Sequence, residues 1–142
     1  MTNSKSIEFN SEMVKAILQG RKTQTRRVVK EPIGKMSVGE LLELKPPYQI
    51  GQELRVKESD PKITLEITNI RVERLQDISE DDAKKEGVSA SEFVEMRDGS
   101  PCYTIPFYHL WTSIYGIDNS KSWDTNPYVW VINFKLKQQK ND

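Results

Sequence analysis

Eight consecutive residues, Gly20-Arg21-Lys22-Thr23-Gln24-Thr25-Arg26-Arg27, gather the side chains of this chain best suited to chemistry. Four are cations and two are threonines, so hydroxyls lie beside an amine and guanidinium groups. That combination suits an anionic or polar ligand. An amine whose proton affinity is lowered by nearby cations or by burial can also activate a hydroxyl. Taken alone, a run of charge is more often a solvated turn. The rest of the composition narrows the chemistry. Cys102 is the sole cysteine, which excludes an internal disulfide and a cysteine-rich zinc site. His109 is the sole histidine, so a Ser-His-Asp triad or a histidine metal cluster has little to draw on. No carboxylates stand at metal-ligand spacing, and neither metal nor cofactor is expected. Lys plus Arg and Asp plus Glu both number 21, so a polyanion would have to be held by a local patch.

Those eight residues must be positioned by short elements. Ile7 and Phe9 alternate with polar neighbours as in a strand. Asn10 reads as the N-cap of a helix carrying Met13, Val14, Ile17 and Leu18 on one face, and Gly20 as its stop. The basic stretch then forms a turn followed by a strand towards Val28-Val29. In an ideal strand Lys22 and Thr25 face opposite sides, so they can meet only if Lys22 still lies in the turn. Residues 30–50 carry Gly34, Gly39, an apolar cluster at Leu41-Leu42 and Leu44, and Pro46-Pro47, and yield no regular pattern. Strands follow through Leu54-Val56 and Ile63-Ile67, and a change of apolar phase after Asn69 predicts a bulge or a hairpin.

Ser79 with Glu80, Asp81 and Asp82 predicts a capped short helix ending at Gly87. Ser89 with Glu92 predicts another, carrying Phe93, Val94 and Met96. Asp98-Gly99-Ser100-Pro101 is a turn by composition. Phe107, Leu110, Trp111 and Ile114 stand at helical spacing before Gly116, and Asp118 to Pro127 reads as a polar loop containing Trp123. Tyr128, Trp130, Ile132, Phe134 and Leu136 alternate along a last strand, with residues 136–142, approximately, expected to fray. The pattern predicts an α+β domain spanning 1–142, built on a small curved sheet or barrel. No apolar run nears the roughly 20 residues of a membrane span, and the polar start lacks a signal core. A soluble, cytoplasmic chain without a membrane partner is the expectation; its oligomeric state is not readable.

The stretch Gly20 to Arg27 resembles the ASCH domain family, small domains with a β-barrel similar to that of PUA RNA-binding domains. Gly51-Gln52-Glu53-Leu54-Arg55-Val56, the strand Ile63 to Arg71, and Tyr128 to Phe134 match in order. The segment Val72 to Ala83 and the tail from Trp123 are similar to ASCH proteins often carried by phages and prophages. The resemblance covers nearly the whole chain and implies a PUA-like small β-barrel with short flanking helices. The wider family shows glycine, lysine two positions on, glutamate three after that and arginine two later. Gly20, Lys22 and Arg27 fit that pattern, and Thr25 stands in place of the glutamate. A subgroup resembling bacterial N4-acetylcytidine amidohydrolases also has threonine there, with a glutamate just after a downstream helix. By position that glutamate is Glu86, so the resemblance implies Lys22, Thr25 and Glu86 as a catalytic triad.

Amide hydrolysis needs a nucleophile, a base and a donor for the oxyanion. Thr25 would attack, Lys22 would act as base if its pKa is lowered, and Glu86 would orient Lys22 or relay the proton. Arg21, Arg26 and Arg27, or a backbone N–H, would supply donors and bind substrate. Trp111, Trp123 or Tyr128 would stack on the base, with Trp123 the aromatic least explained by core packing. Outside the resemblance, Glu86 reads as an exposed residue of a last helical turn, His109 as structural, and Cys102 as inert. Two further functions fit the same residues: a PUA-like module that binds RNA or a modified nucleotide without turnover, and, less well supplied with residues, an RNA-cleaving ASCH protein.

Overall fold

In the computed structural model, which describes residues 5–30, 44–59 and 62–140, the elements run in a mixed order. They are β1 (Lys5–Ile7), α1 (Ser11–Leu18), β2 (Gln24–Val28), β3 (Glu53–Val56), β4 (Lys62–Arg74), α2 (Glu80–Lys85), α3 (Thr104–Tyr115) and β5 (Tyr128–Lys140). Short 3₁₀ helices occupy Leu75–Asp77 and Trp123–Thr125. Gly34, Gly39 and Leu41-Leu42 lie outside the described residues.

The strands form one five-stranded sheet in the order β1-β3-β4-β5-β2. β1 runs parallel to β3, and every other pairing is antiparallel. The long β4–β5 pair is the frame. Alternation along β5 puts Trp130, Ile132 and Phe134 into one core with Ile17, Leu54 and Leu65. It puts Val129 and Val131 into a second core with Leu75, Ala83, Phe107 and Trp111. The change of apolar phase after Asn69 is a register shift between Ile67 and Asn69, so it marks a bulge and not a hairpin.

Three expectations are corrected. The sheet is not closed into a barrel: β1 and β2 are its two edges, and no ladder joins them among the described residues. A three-residue β1 offers little to pair with, and the chain between the edges is coiled into α1. A side-chain bond, Arg27 Nη2 to the carbonyl oxygen of Glu8 at 2.8 Å, ties β2 to the residue that follows β1 instead. The tail expected to fray from 136 is strand as far as Lys140, which pairs with Lys62. The helix expected from Ser89 does not form. The Ser91 hydroxyl oxygen accepts from the N–H of Phe93 and of Val94, a local turn that competes with helix, and Phe93 is 93% exposed.

The elements that flank the basic stretch have the expected caps. Asn10 Oδ1 accepts from Met13 N–H at 2.9 Å, and Ser79 Oγ from Asp82 N–H at 3.1 Å. α3 begins at Thr104, two residues before Pro106, and stops at Gly116. Among the described residues no helix is long and apolar enough to cross a membrane.

Candidate active site

Lys22 sits between α1 and β2, two residues before the strand begins at Gln24. Its backbone forms an isolated antiparallel bridge with Glu86, and Thr23 N–H donates to the Lys85 carbonyl oxygen at 2.8 Å. The end of α2 is thereby sewn to the turn after α1. Gly87 makes this approach feasible. Its φ is +100°, and a Cβ there would stand 3.0 Å from Lys22 Cβ and 3.1 Å from Ala16 Cβ.

The result is a buried ion pair. Lys22 is 2% exposed and Glu86 4%. Lys22 Nζ donates to Glu86 Oε1 at 3.3 Å, to the Glu86 carbonyl oxygen at 3.1 Å and to the Gln24 carbonyl oxygen at 2.8 Å. Burial lowers the Lys22 pKa below its ordinary value; Glu86 opposes that shift, while Arg27 and Arg26 add to it. The Phe9 ring lies 5.7 Å from Lys22 Nζ and 5.1 Å from Arg27 Cζ. Glu86 is therefore not the exposed helix-end residue that its position alone suggests.

Alternation along β2 divides its polar side chains. Thr25 and Arg27 share one face, where Arg27 Nε donates to Thr25 Oγ1 at 3.4 Å. Gln24 and Arg26 share the other and bond each other, Arg26 Nη1 to Gln24 Oε1. Arg26 also donates from Nη1 to Glu86 Oε2 at 3.0 Å, and its Nη2 lies 3.4 Å from Asp82 Oδ2 and 3.5 Å from Glu73 Oε1. Its side chain has no exposed surface. Asp82 is held in turn by Arg71 Nη2 at 2.7 Å and by Gln24 Nε2 at 3.3 Å. Burial presses the Asp82 pKa upward, but the bond from Gln24 and the charges of Arg26, Arg71 and Lys85 outweigh it, and the net shift is downward.

β2 borders a cleft of about 450 Å³. Thr25, Arg26, Arg27 and Glu86 line its polar side. Phe9 and Met13 form one apolar wall, and Phe107, Leu110, Trp111, Ile114 and Tyr115 the other. The Trp111 and Tyr115 rings lie against each other at a tilt of 39°, with centroids 4.3 Å apart.

Of the residues singled out from sequence, Lys22, Thr25, Glu86, Arg26 and Arg27 come together. No hydrogen bond joins Lys22 to Thr25. Arg21 is elsewhere: it bonds Gln19 Oε1 and the Gly87 carbonyl oxygen, and lines a separate cavity with Thr23, Lys84 and Tyr103. Trp123 is not in the cleft either. It is half-buried and packs edge-on against Phe107 and Tyr108, with centroids 6.3 and 5.5 Å away, so core packing does explain it. Tyr128 lies under the Arg74 guanidinium at 4.4 Å, which leaves Trp111 as the named aromatic that lines the cleft. Sequence reasoning missed Asp82, Glu73, Arg71 and Gln24. In sequence Asp82 reads only as a helix-start carboxylate, and nothing in its spacing from Arg26 reveals that the two meet.

Among the described residues no group of three or more His, Cys, Asp or Glu side chains could hold a metal ion. No family model matches the sequence, and neither does any curated protein. Solved structures do resemble it. An ASCH domain from Lactobacillus crispatus JV V101 is 19% identical, with a TM-score of 0.51 over 94% of this chain and 79% of that one. Protein EF3133 from Enterococcus faecalis V583 is 13% identical, with a TM-score of 0.56 over 100% and 84%. The hypothetical protein PH0355 is 12% identical, with a TM-score of 0.56 over 94% and 99%. At these identities the likeness establishes architecture alone: an α+β chain with an ASCH-type fold.

Proposed function

We propose that this chain is an amidohydrolase acting on an acylated cytosine nucleoside such as N4-acetylcytidine, with Lys22, Thr25 and Glu86 as its triad. One observation carries the reading. Thr25 and Glu86 open to the same cleft, and the Lys22 amine bonded to Glu86 is buried enough to have its proton affinity lowered. In the reaction Thr25 Oγ attacks the acyl carbon as its proton passes towards neutral Lys22, with Glu86 as the relay between them. The oxyanion that forms is met by Arg27, whose Nε already lies 3.4 Å from Thr25 Oγ1. Collapse breaks the C–N bond, the N4 amine leaves with the proton held at Lys22, and an acyl ester remains on Thr25. Water then hydrolyses that ester and releases the carboxylic acid. The slot between Phe9 and the Trp111–Tyr115 side of α3 suits a flat base.

A second reading, a module that binds a modified nucleotide without turnover, rests on a different observation. Lys22 already donates to three acceptors, and Thr25 is not one of them. Release of cytidine from N4-acetylcytidine by the purified protein separates the two. Turnover that disappears in Thr25→Ala and in Lys22→Ala, with substrate binding retained in Thr25→Ala, is the expected result. Saturable binding of the nucleoside without turnover by the native chain would replace the first reading with the second.

A further inference from the structure

The ion pair is only the inner end of a larger charged network. Arg26 is surrounded by three carboxylates from different places: Glu86 beyond the end of α2, Asp82 within α2, and Glu73 on β4. Arg71, also on β4, bonds both Glu73 and Asp82, at 2.9 and 2.7 Å. A guanidinium is planar and forked, so fixing one end aims the other. Asp82 and Glu73 sit at the Nη2 end, and Nη1 meets Glu86 Oε2. Glu86 then has its remaining oxygen, Oε1, for Lys22 Nζ. Arg26 Nε is buried with no partner, so its carboxylate and amide partners at the two Nη groups hold the guanidinium.

We propose that Asp82 is a positioning residue of this site: through Arg26 it sets which oxygen Glu86 presents to Lys22 and how much of the Arg26 charge Lys22 experiences. The proposal rests on the triad reading for its catalytic consequence, but not for its effect on the amine. Without the Asp82 charge, Arg26 is compensated by two carboxylates instead of three. It draws Glu86 towards itself and away from Lys22, and its own positive charge is less shielded. Both changes disfavour a charged Lys22. Of the other charged groups near the amine, Glu86 keeps its charge but moves, and Arg27, on the opposite face of β2, has no contact with Asp82.

The test is Asp82→Asn, which keeps the shape and the backbone N–H that Ser79 caps. Lys22 is followed by the titration of its ¹³Cε resonance, assigned by comparison with Lys22→Ala, alongside the pH profile of kcat. A downward shift of the Lys22 midpoint by about half a pH unit or more is expected, with the acid limb of kcat moving by the same amount. An unchanged Lys22 midpoint overturns the proposal, whatever happens to kcat or to stability. If the native protein turns over no acylated cytosine, the midpoint shift still decides the point, and only the triad reading falls. Should Asp82→Asn not fold, Glu73→Gln, at the same end of the guanidinium, is expected to shift the midpoint in the same direction.

Discussion

A lysine with no exposed side-chain surface is a costly residue, and its environment shows what keeps it. Desolvation opposes the charged amine, and Glu86 with two carbonyl oxygens holds it in place. The linkage to stability follows from the direction of the shift. The folded pKa lies below the unfolded value of 10.5, so between those two values the unfolded chain holds a proton that the folded chain has released. Stability contributed by this group therefore rises with pH across that window, and the full penalty applies below it. Lys22→Met should remove that contribution. Urea unfolding at a series of pH values is expected to show native stability rising relative to the variant as pH climbs towards 10.5. A constant difference would mean that Lys22 titrates normally. Near neutral pH the variant should lose less than the roughly 3–5 kcal/mol typical of an orphaned buried charge, because Glu86 keeps Arg26 as a partner.

At the scale of elements, the site depends on α2 ending where it does. Gly87 reads as a helix stop in sequence, and that much is correct, but its second role is visible only in space. With φ at +100° and the Cβ atoms of Lys22 and Ala16 crowding the place a Cβ would take, an alanine there is strained and obstructed at once. Gly87→Ala is expected to cost about 2 kcal/mol or more in chemical denaturation and to depress turnover under conditions where the variant is folded. Gly20→Ala is the control: φ is +77° but nothing lies within 4 Å, so it should cost stability without comparable loss of turnover. Equal losses of turnover would show that the close approach at Gly87 does not matter. The same contrast explains what was legible beforehand. Local signals such as the Asn10 and Ser79 caps, the alternation of Ile63 to Ile67 and the phase change at Asn69 depend on neighbours in sequence, and all read correctly. The open sheet depends on whether β1 and β2 meet, and no local pattern encodes that. Lys22 and Thr25 were readable as types on a turn and a strand, whereas Asp82 reaches Arg26 across 56 positions of chain. The helix expected from Ser89 failed because its apolar residues find no face to cover, as Phe93 shows.

At the scale of the whole molecule, charge is balanced overall, and the cations around the site are spent on internal partners. Lys22 and Arg26 are buried in their ion pairs, Arg71 bonds two carboxylates, and Lys135 and Lys137 are paired with Glu66 and Glu53 on the neighbouring strands. In the cleft, the Arg27 guanidinium is shared with Thr25, the Glu8 carbonyl oxygen and the face of Phe9. Arg26 and Arg27, the cations that line the cleft, are thus already engaged and offer a phosphate chain little from which to displace counterions. Recognition of a nucleoside by an apolar slot and a few fixed donors should depend little on salt. A binder of polynucleotide with several phosphate contacts would instead lose about 10³-fold or more in affinity between roughly 50 and 200 mM salt. Binding of N4-acetylcytidine to Thr25→Ala, measured by calorimetry over that range, is expected to change by less than about twofold. The same titration with a short single-stranded RNA carrying the acetylated base supplies the contrast. If the RNA binds much more tightly than the nucleoside and that advantage collapses with salt, the ligand is a polynucleotide held by cations outside the cleft. If the two affinities agree at every salt concentration, the acylated nucleoside itself is what the cleft recognises.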